Sequence, residues 1–132
     1  MAEYTKLNLR ELEDQAEKYG MSPDLEFRVA REPLEMENAA LSYLRVAPNF
    51  RMPFGHRHQV QEEVYVLVDG SARLKLDEEV IELQQWDAVR IPKETVRNLE
   101  GGPDGAVLIL YGAPKTGPGD APPIEGWWPT DA

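Results

Sequence analysis

The stretch GHRHQVQEEVYVLVDG, Gly55 to Gly70, holds the chain's two histidines, His56 and His58, with one residue between them and Glu63 after a further four. Alternate side chains of an extended chain face the same way, so a strand here puts His56 and His58 on one face and within reach of Glu63 once the chain turns back. Two imidazoles and a carboxylate on one wall make a ligand set for a divalent metal. Against this stands a plainer reading, in which two half-exposed histidines and the acids Glu62 and Glu63 form a solvated rim. The flanks bear on the choice. VYVLV is β-branched and aromatic, Asp69 and Gly70 read as a turn, and Ala72, Leu74 and Leu76 then alternate with Ser71, Arg73 and Lys75. That pattern predicts a hairpin with one buried face, so the histidines feed into a packed strand and are held rather than left in water.

Outward from this segment the chain reads as a series of short strands. LSYLRVAP, EVYVLV, SARLKL, VIELQ, DAVRIP, TVRNLE and AVLILYG follow one another with Pro, Gly or Asp-Glu turns between them and no helix intervening, which points to a sandwich or jelly roll. Ahead of them the residues predict a short helix capped by Asn8, with Glu11 three residues on as in a capping box, Leu9, Leu12, Ala16 and Tyr19 on one side and Gly20 at its end. Leu25, Phe27 and Val29 alternate as a first strand. The closing stretch GAPKTGPGDAPPIEGWWPTDA is rich in proline and glycine and is expected to be irregular. Its paired Trp127 and Trp128 are expected to pack on the barrel's outer surface or on a partner subunit.

Composition sets outer bounds. At 132 residues the chain supports one core, and its formal charge of −10 argues against nucleic-acid and anionic-membrane partners. It has no cysteine, so disulfides, thiol nucleophiles and thiolate metal sites are excluded. The N-terminal residues lack the apolar run of a signal peptide and no window suits a membrane span, so a cytoplasmic location is expected.

The histidine segment resembles the first motif of the cupins, in which two histidines flank one residue and are followed by three or four residues, a glutamate, six residues and a glycine. His56, His58, Glu63 and Gly70 match it with intervals of four and six. The second cupin motif is matched in part by WDAVRIPKETVRN. Pro92 falls in place, Trp86 and Glu94 take the two glycine positions, and Arg97 stands where cupins carry their fourth metal ligand, with Asn98 directly after it. The resemblance spans about residues 40–112. It implies an all-β double-stranded β-helix, or jelly-roll barrel, over 39–113, with an N-terminal helix and arm over 1–38 and an irregular tail over 114–132, as a single homodimeric domain. It further implies His56, His58 and Glu63 as ligands of one divalent transition metal, Fe, Mn, Ni or Zn.

Arg97 complicates that metal site, because its guanidinium is a permanent cation. At about 5 Å and an effective dielectric of about 20, each pair of like unit charges costs roughly 3 kcal/mol. In one outcome Arg97 pairs with Glu63 and the pocket is metal-free. In the other, His56, His58 and Glu63 hold a metal with open positions and Arg97 clamps an anionic substrate. Strand parity adds Phe54, Tyr65, Leu67, Thr95 and Leu99 to the inward face, and Tyr43 with Arg45 if their shared face is the inner one. The expected ligand pocket is Arg97, Tyr65, Arg45, Tyr43 and Phe54. The function expected is binding of a small organic anion, a carboxylate or phosphate, inside the barrel. The alternatives are a divalent-metal cupin enzyme of isomerase, lyase or dioxygenase type using His56, His58 and Glu63, and an assembly cupin with a vestigial pocket.

Overall fold

A computed structural model of the chain describes residues 2–56, 62–112 and 123–125, with backbone alone at 54–56 and 123–125. The strands are β1 (Leu25–Val29), β2 (Ala40–Val46), β3 (Phe54–His56), β4 (Glu63–Leu76), β5 (Glu79–Leu83), β6 (Ala88–Ile91), β7 (Arg97–Gly112) and β8 (Pro123–Glu125). Two long strands organise them. The first half of β4 lies between β6 and the end of β7, which in turn pairs with β2 and through it β1; the second half of β4 lies between β5 and the start of β7, which continues to β3 and β8. Because β4 and β7 run through both layers, the result is a jelly roll of two facing antiparallel sheets.

Asp69 and Gly70 therefore do not turn a hairpin. The β4–β7 register slips between Leu67 and Asp69 and again between Gly70 and Ala72, so β4 crosses from one sheet to the other as a single bulged strand. On β7 the matching irregularity is Gly102–Gly105, between Gly101, which pairs with Ala72, and Ala106, which pairs with Gly70. Gly70 and Gly105 both have positive φ, 83° and 75°. The turn chemistry seen in the sequence is real, but it is spent on a corner rather than on a reversal.

Register fixes which side chains face inward. Leu25 pairs with Val46, Leu44 with Leu108 and Leu108 with Leu67, while in the other sheet Leu74 pairs with both Ile81 and Leu99. Leu67, Leu74, Ile91, Leu99 and Leu108 are fully buried at the centre, with Leu44, Val46, Ala72, Leu83 and Ala106 around them. This is the alternation that period-two patterning demands of strands with one packed face.

The N-terminal helix takes the form of two 3-10 turns, Leu9–Glu11 and Gln15–Tyr19. Asn8 caps the first, accepting from the Arg10 N–H, and Gly20 closes the second in the left-handed conformation. Asp14 interrupts them, because its Oδ1 accepts from the N–H groups of both Ala16 and Phe27, at 2.9 Å each. The second bond also occupies a backbone donor on the open edge of β1. The tail is not wholly irregular, since β8 pairs with β3; Pro123 is accommodated at the first position of an edge strand. No described helix is long and apolar enough to cross a membrane. Trp127 and Trp128 lie outside the described residues.

Where the second cupin motif carries its first glycine, Trp86 has φ 75° and is 69% exposed, with its neighbour Asp87 donating back to the Gln84 carbonyl at 2.9 Å. This is a tight turn whose third residue is left-handed, the geometry that favours glycine. An indole there costs about 1 kcal/mol of backbone strain and returns little packing. Trp86→Gly is accordingly expected to raise stability by roughly 1 kcal/mol in a denaturant titration, and a loss would mean that the ring packs on something.

On the outer face of β1 and β2, Glu26 accepts from Arg28 Nε at 2.6 Å and from Arg45 Nε at 2.9 Å, while Arg28 also reaches the Leu12 carbonyl. Burial, the largest influence on Glu26, pushes its carboxyl up, but the hydrogen bonds and charges of Arg45 and Arg28 together outweigh it and hold the group below the usual range. A carboxyl whose folded pKa lies below its unfolded value stabilises the fold above the unfolded pKa, and that contribution is lost as pH falls through the folded pKa. The loss should therefore set in as pH drops below about 4.5. Between about pH 6 and about pH 3 the wild type should lose more unfolding free energy than Glu26→Gln; equal losses would remove Glu26 from the acid response.

Candidate functional site

The site lies inside the barrel, where the starts of β4 and β7 face each other across the two sheets. Glu63 opens β4, in register with Ile91 and Gly112, and Tyr65 follows two residues later on the same face. Arg97 opens β7, in register with Leu76 on one side and His56 on the other. Its side chain is wholly buried. Nη2 donates to the Pro92 carbonyl at 2.9 Å and lies 3.5 Å from that of Ile91. Nη1 stands 3.9 Å from Glu63 Oε1, an ion pair in charge but beyond hydrogen-bond length. Among the described residues, neither Nε nor Nη1 has a hydrogen-bond partner.

The Tyr65 phenol is buried beside this pair. Burial pushes its pKa up most, the Glu63 charge pushes it further, and Arg97 offsets only part, so it stays protonated throughout the neutral range. Tyr65 thus offers a neutral O–H, Arg97 a fixed positive charge with buried donors, and Glu63 an acceptor. Ile91, in register with Glu63, and Leu99, two residues after Arg97 on β7, are fully buried, and a water-poor setting strengthens each polar contact.

Of the expected pocket, the structure brings together Arg97 and Tyr65, and with them Glu63 from the expected metal set. It does not add Tyr43 or Arg45. These stand on the opposite face of β2 from the core residues Leu44 and Val46; Tyr43 is in register with Arg28 and Ile109, and Arg45 pairs with Glu26 and donates to the Pro23 carbonyl at 3.0 Å. Parity relates the two correctly to each other, but both belong to the outer face. Phe54 and His56 lie in β3, where only the backbone is described, and His58 lies outside the described residues. The carbonyls of Pro92 and Ile91, which anchor the guanidinium, carry no signal in the sequence, because every residue supplies that group.

A divalent metal is what the ligand spacing suggests, and Arg97 tests it. A cation bound at Glu63 Oε1 would share that oxygen's surroundings with a guanidinium 3.9 Å away that is buried and cannot deprotonate. The repulsion, on the order of 3 kcal/mol, is not offset by any acid cluster: among the described residues, no group of three His, Asp or Glu side chains converges. Of that ligand set only Glu63 has a described side chain, and Arg97 beside it opposes a cation there.

No protein-family profile matches the chain, and no curated protein matches it. Solved structures do. A cupin protein from Bacteroides fragilis is 24% identical, with a TM-score of 0.68 over 100% of this chain and 97% of that one. A variant of the oxalate decarboxylase of Bacillus subtilis is 16% identical, with a TM-score of 0.77 over 94% of this chain but only 33% of its own length. A variant of Streptomyces PAC13, solved with uridine, is 16% identical, with a TM-score of 0.71 over 94% and 92% of the two chains. With two sheets threaded by the long β4 and β7, and these neighbours in three dimensions, the chain has the fold of the cupin superfamily.

Proposed function

We propose that the barrel interior binds a small organic anion on the Arg97 guanidinium, without needing a metal. The observation that carries this reading is the buried guanidinium whose Nε and Nη1 have no hydrogen-bond partner among the described residues. A buried N–H left unmade costs about 1–3 kcal/mol, more when charged, and such a cost is retained where a ligand supplies the acceptor. A carboxylate or phosphate oxygen is the acceptor that a guanidinium binds best. The neighbours lend support of a general kind. One is named for its action on oxalate, a small organic anion, and another was solved with a small molecule, uridine.

The test is thermal denaturation with acetate, propionate, lactate, inorganic phosphate and a sugar phosphate, against chloride at matched ionic strength. A ligand at a hundred times its Kd adds about 2.7 kcal/mol of stability, a shift of several degrees for a domain of this size. At least one organic anion should produce a saturable shift. Absence of any shift across the panel would end the reading. Because the anchor is a guanidinium, prior treatment with EDTA should leave the shift unchanged; its disappearance on metal removal, with recovery on adding back a transition metal, would favour the metal-dependent alternative built on His56, His58 and Glu63.

A further inference from the structure

The two sheets present opposite kinds of surface to their surroundings. On the sheet that holds the second half of β4, the outward positions on either side of Leu74 carry charge: Arg73 is in register with Glu82 and Glu100, and Lys75 with Asn98 and Val80. That is the ordinary alternation of apolar inside and polar outside. On the other sheet the outward positions of four strands are mostly apolar. One rank runs from β6 to β2 as Arg90, Val64, Tyr111 and Leu41, and the next as Ala88, Val66, Ile109 and Tyr43. None of these residues belongs to the core cluster, and neither rank holds an acid. Tyr43 is buried within the chain, whereas Tyr111 is 49% exposed, Ala88 is exposed, and Val64, Val66 and Ile109 are half-buried.

We infer that a second copy of this chain covers the open part of this face, the two copies packing sheet against sheet about a two-fold axis. Charge selects that occupant. The chain carries a formal charge of −10, so two copies repel wherever their acids meet. The two ranks bring no acid to the contact. At their margins the charges are already matched within the chain, Arg90 holding Glu62 at 3.0 Å and Glu26 lying between Arg28 and Arg45. Here like can meet like without opposing carboxylates. A basic partner gains nothing from a face that lacks acids and is drawn instead to the rest of an acidic surface. Shape agrees with charge, because sheets pack face to face through interdigitated apolar side chains, and a two-fold axis sets one patch against itself. In that contact Val64, Val66 and Ile109 form the dry centre, Tyr111 supplies an aromatic anchor, and Arg90 stands on the rim.

Sedimentation equilibrium of the full chain tests this. The wild type should sediment at twice the chain mass of 14.9 kDa. Salt screens the repulsion between two acidic copies and leaves apolar contact intact, so raising it from about 0.05 to about 0.5 M should maintain or tighten the dimer. Val66→Glu sets two unpaired carboxylates in the dry centre and should weaken association at least a hundredfold, giving monomer. Tyr111→Glu acts at a position that the single chain leaves half open, so it should do the same without disturbing the fold, and it serves if the Val66 variant does not fold. Val80→Glu is the control, a 40%-exposed outward position on the other sheet, and should leave the dimer intact. A wild-type chain that is monomeric at every concentration overturns the inference. So does a dimer that dissociates on adding salt, that survives both Val66→Glu and Tyr111→Glu, or that Val80→Glu breaks.

Discussion

Gly70→Ala should lose about 3–5 kcal/mol of stability, lowering the melting midpoint by roughly 10–20 °C. Two independent penalties act at this residue. Its φ of 83° lies in the left-handed region, where a Cβ is strained whatever surrounds it. The added Cβ would also stand 2.0 Å from the Gly105 carbonyl oxygen and 2.9 Å from its carbon, both backbone atoms that cannot rotate aside. Relief requires β4 and β7 to separate where each passes from one sheet to the other, and those strands carry the whole architecture. Gly20→Ala is the control. Gly20 has a similar φ of 70°, and a Cβ added there would meet nothing within 4 Å, so it isolates the conformational penalty, about 1 kcal/mol. A loss at Gly70 no larger than that at Gly20 would show that the corner tolerates a side chain and that the two sheets are not clamped there.

The same corner shows how far the sequence can be read. Period-two alternation locates the strands and their buried faces, because inward residues such as Leu67, Leu74 and Leu108 must be apolar wherever the strand begins. Alternation says nothing about whether Asp-Gly reverses a chain or bends it, since positive φ serves both; hence the hairpin expected at Asp69 and Gly70 is a continuous β4. In the site, Glu63, Tyr65 and Arg97 are legible because each lies on a long strand whose parity is anchored by packed neighbours. Tyr43 and Arg45 do share a face, but which face is inner depends on Leu44 and Val46, equally apolar alternatives flanking them. Arg45 also has a local reason to face outward, its partner Glu26 on β1, and pairing across strands cannot be read before the register is known.

Replacing Arg97 with methionine should abolish the carboxylate response while leaving a folded protein. The guanidinium's bonds to a ligand are charge-assisted, each worth about 1.5–3 kcal/mol, so loss of two of them weakens binding by at least a hundredfold. Methionine matches the length and flexibility of the arginine stem and fills the space between Leu76 and Leu99 with apolar surface. Its cost to the unliganded fold lies in the Pro92 carbonyl, which loses its donor, and in Glu63, which loses its ionic neighbour; with 15% of that side chain exposed, the carboxylate keeps some contact with water and its share of the penalty is limited. Pairing the change with Glu63→Gln should recover stability relative to Arg97→Met alone, giving a coupling energy between the two sites, without recovering any ligand binding. Arg97→Lys separates charge from shape. A lysine ammonium is a compact point charge that cannot hold the Pro92 carbonyl and a ligand oxygen in one fixed plane, so it should retain weak binding, about tenfold or more below the wild type. Should Arg97→Met respond to carboxylates with wild-type affinity, the anion would have to be held elsewhere in the barrel, and the buried guanidinium would be reduced to a structural tie between the start of β7 and the Pro92 turn.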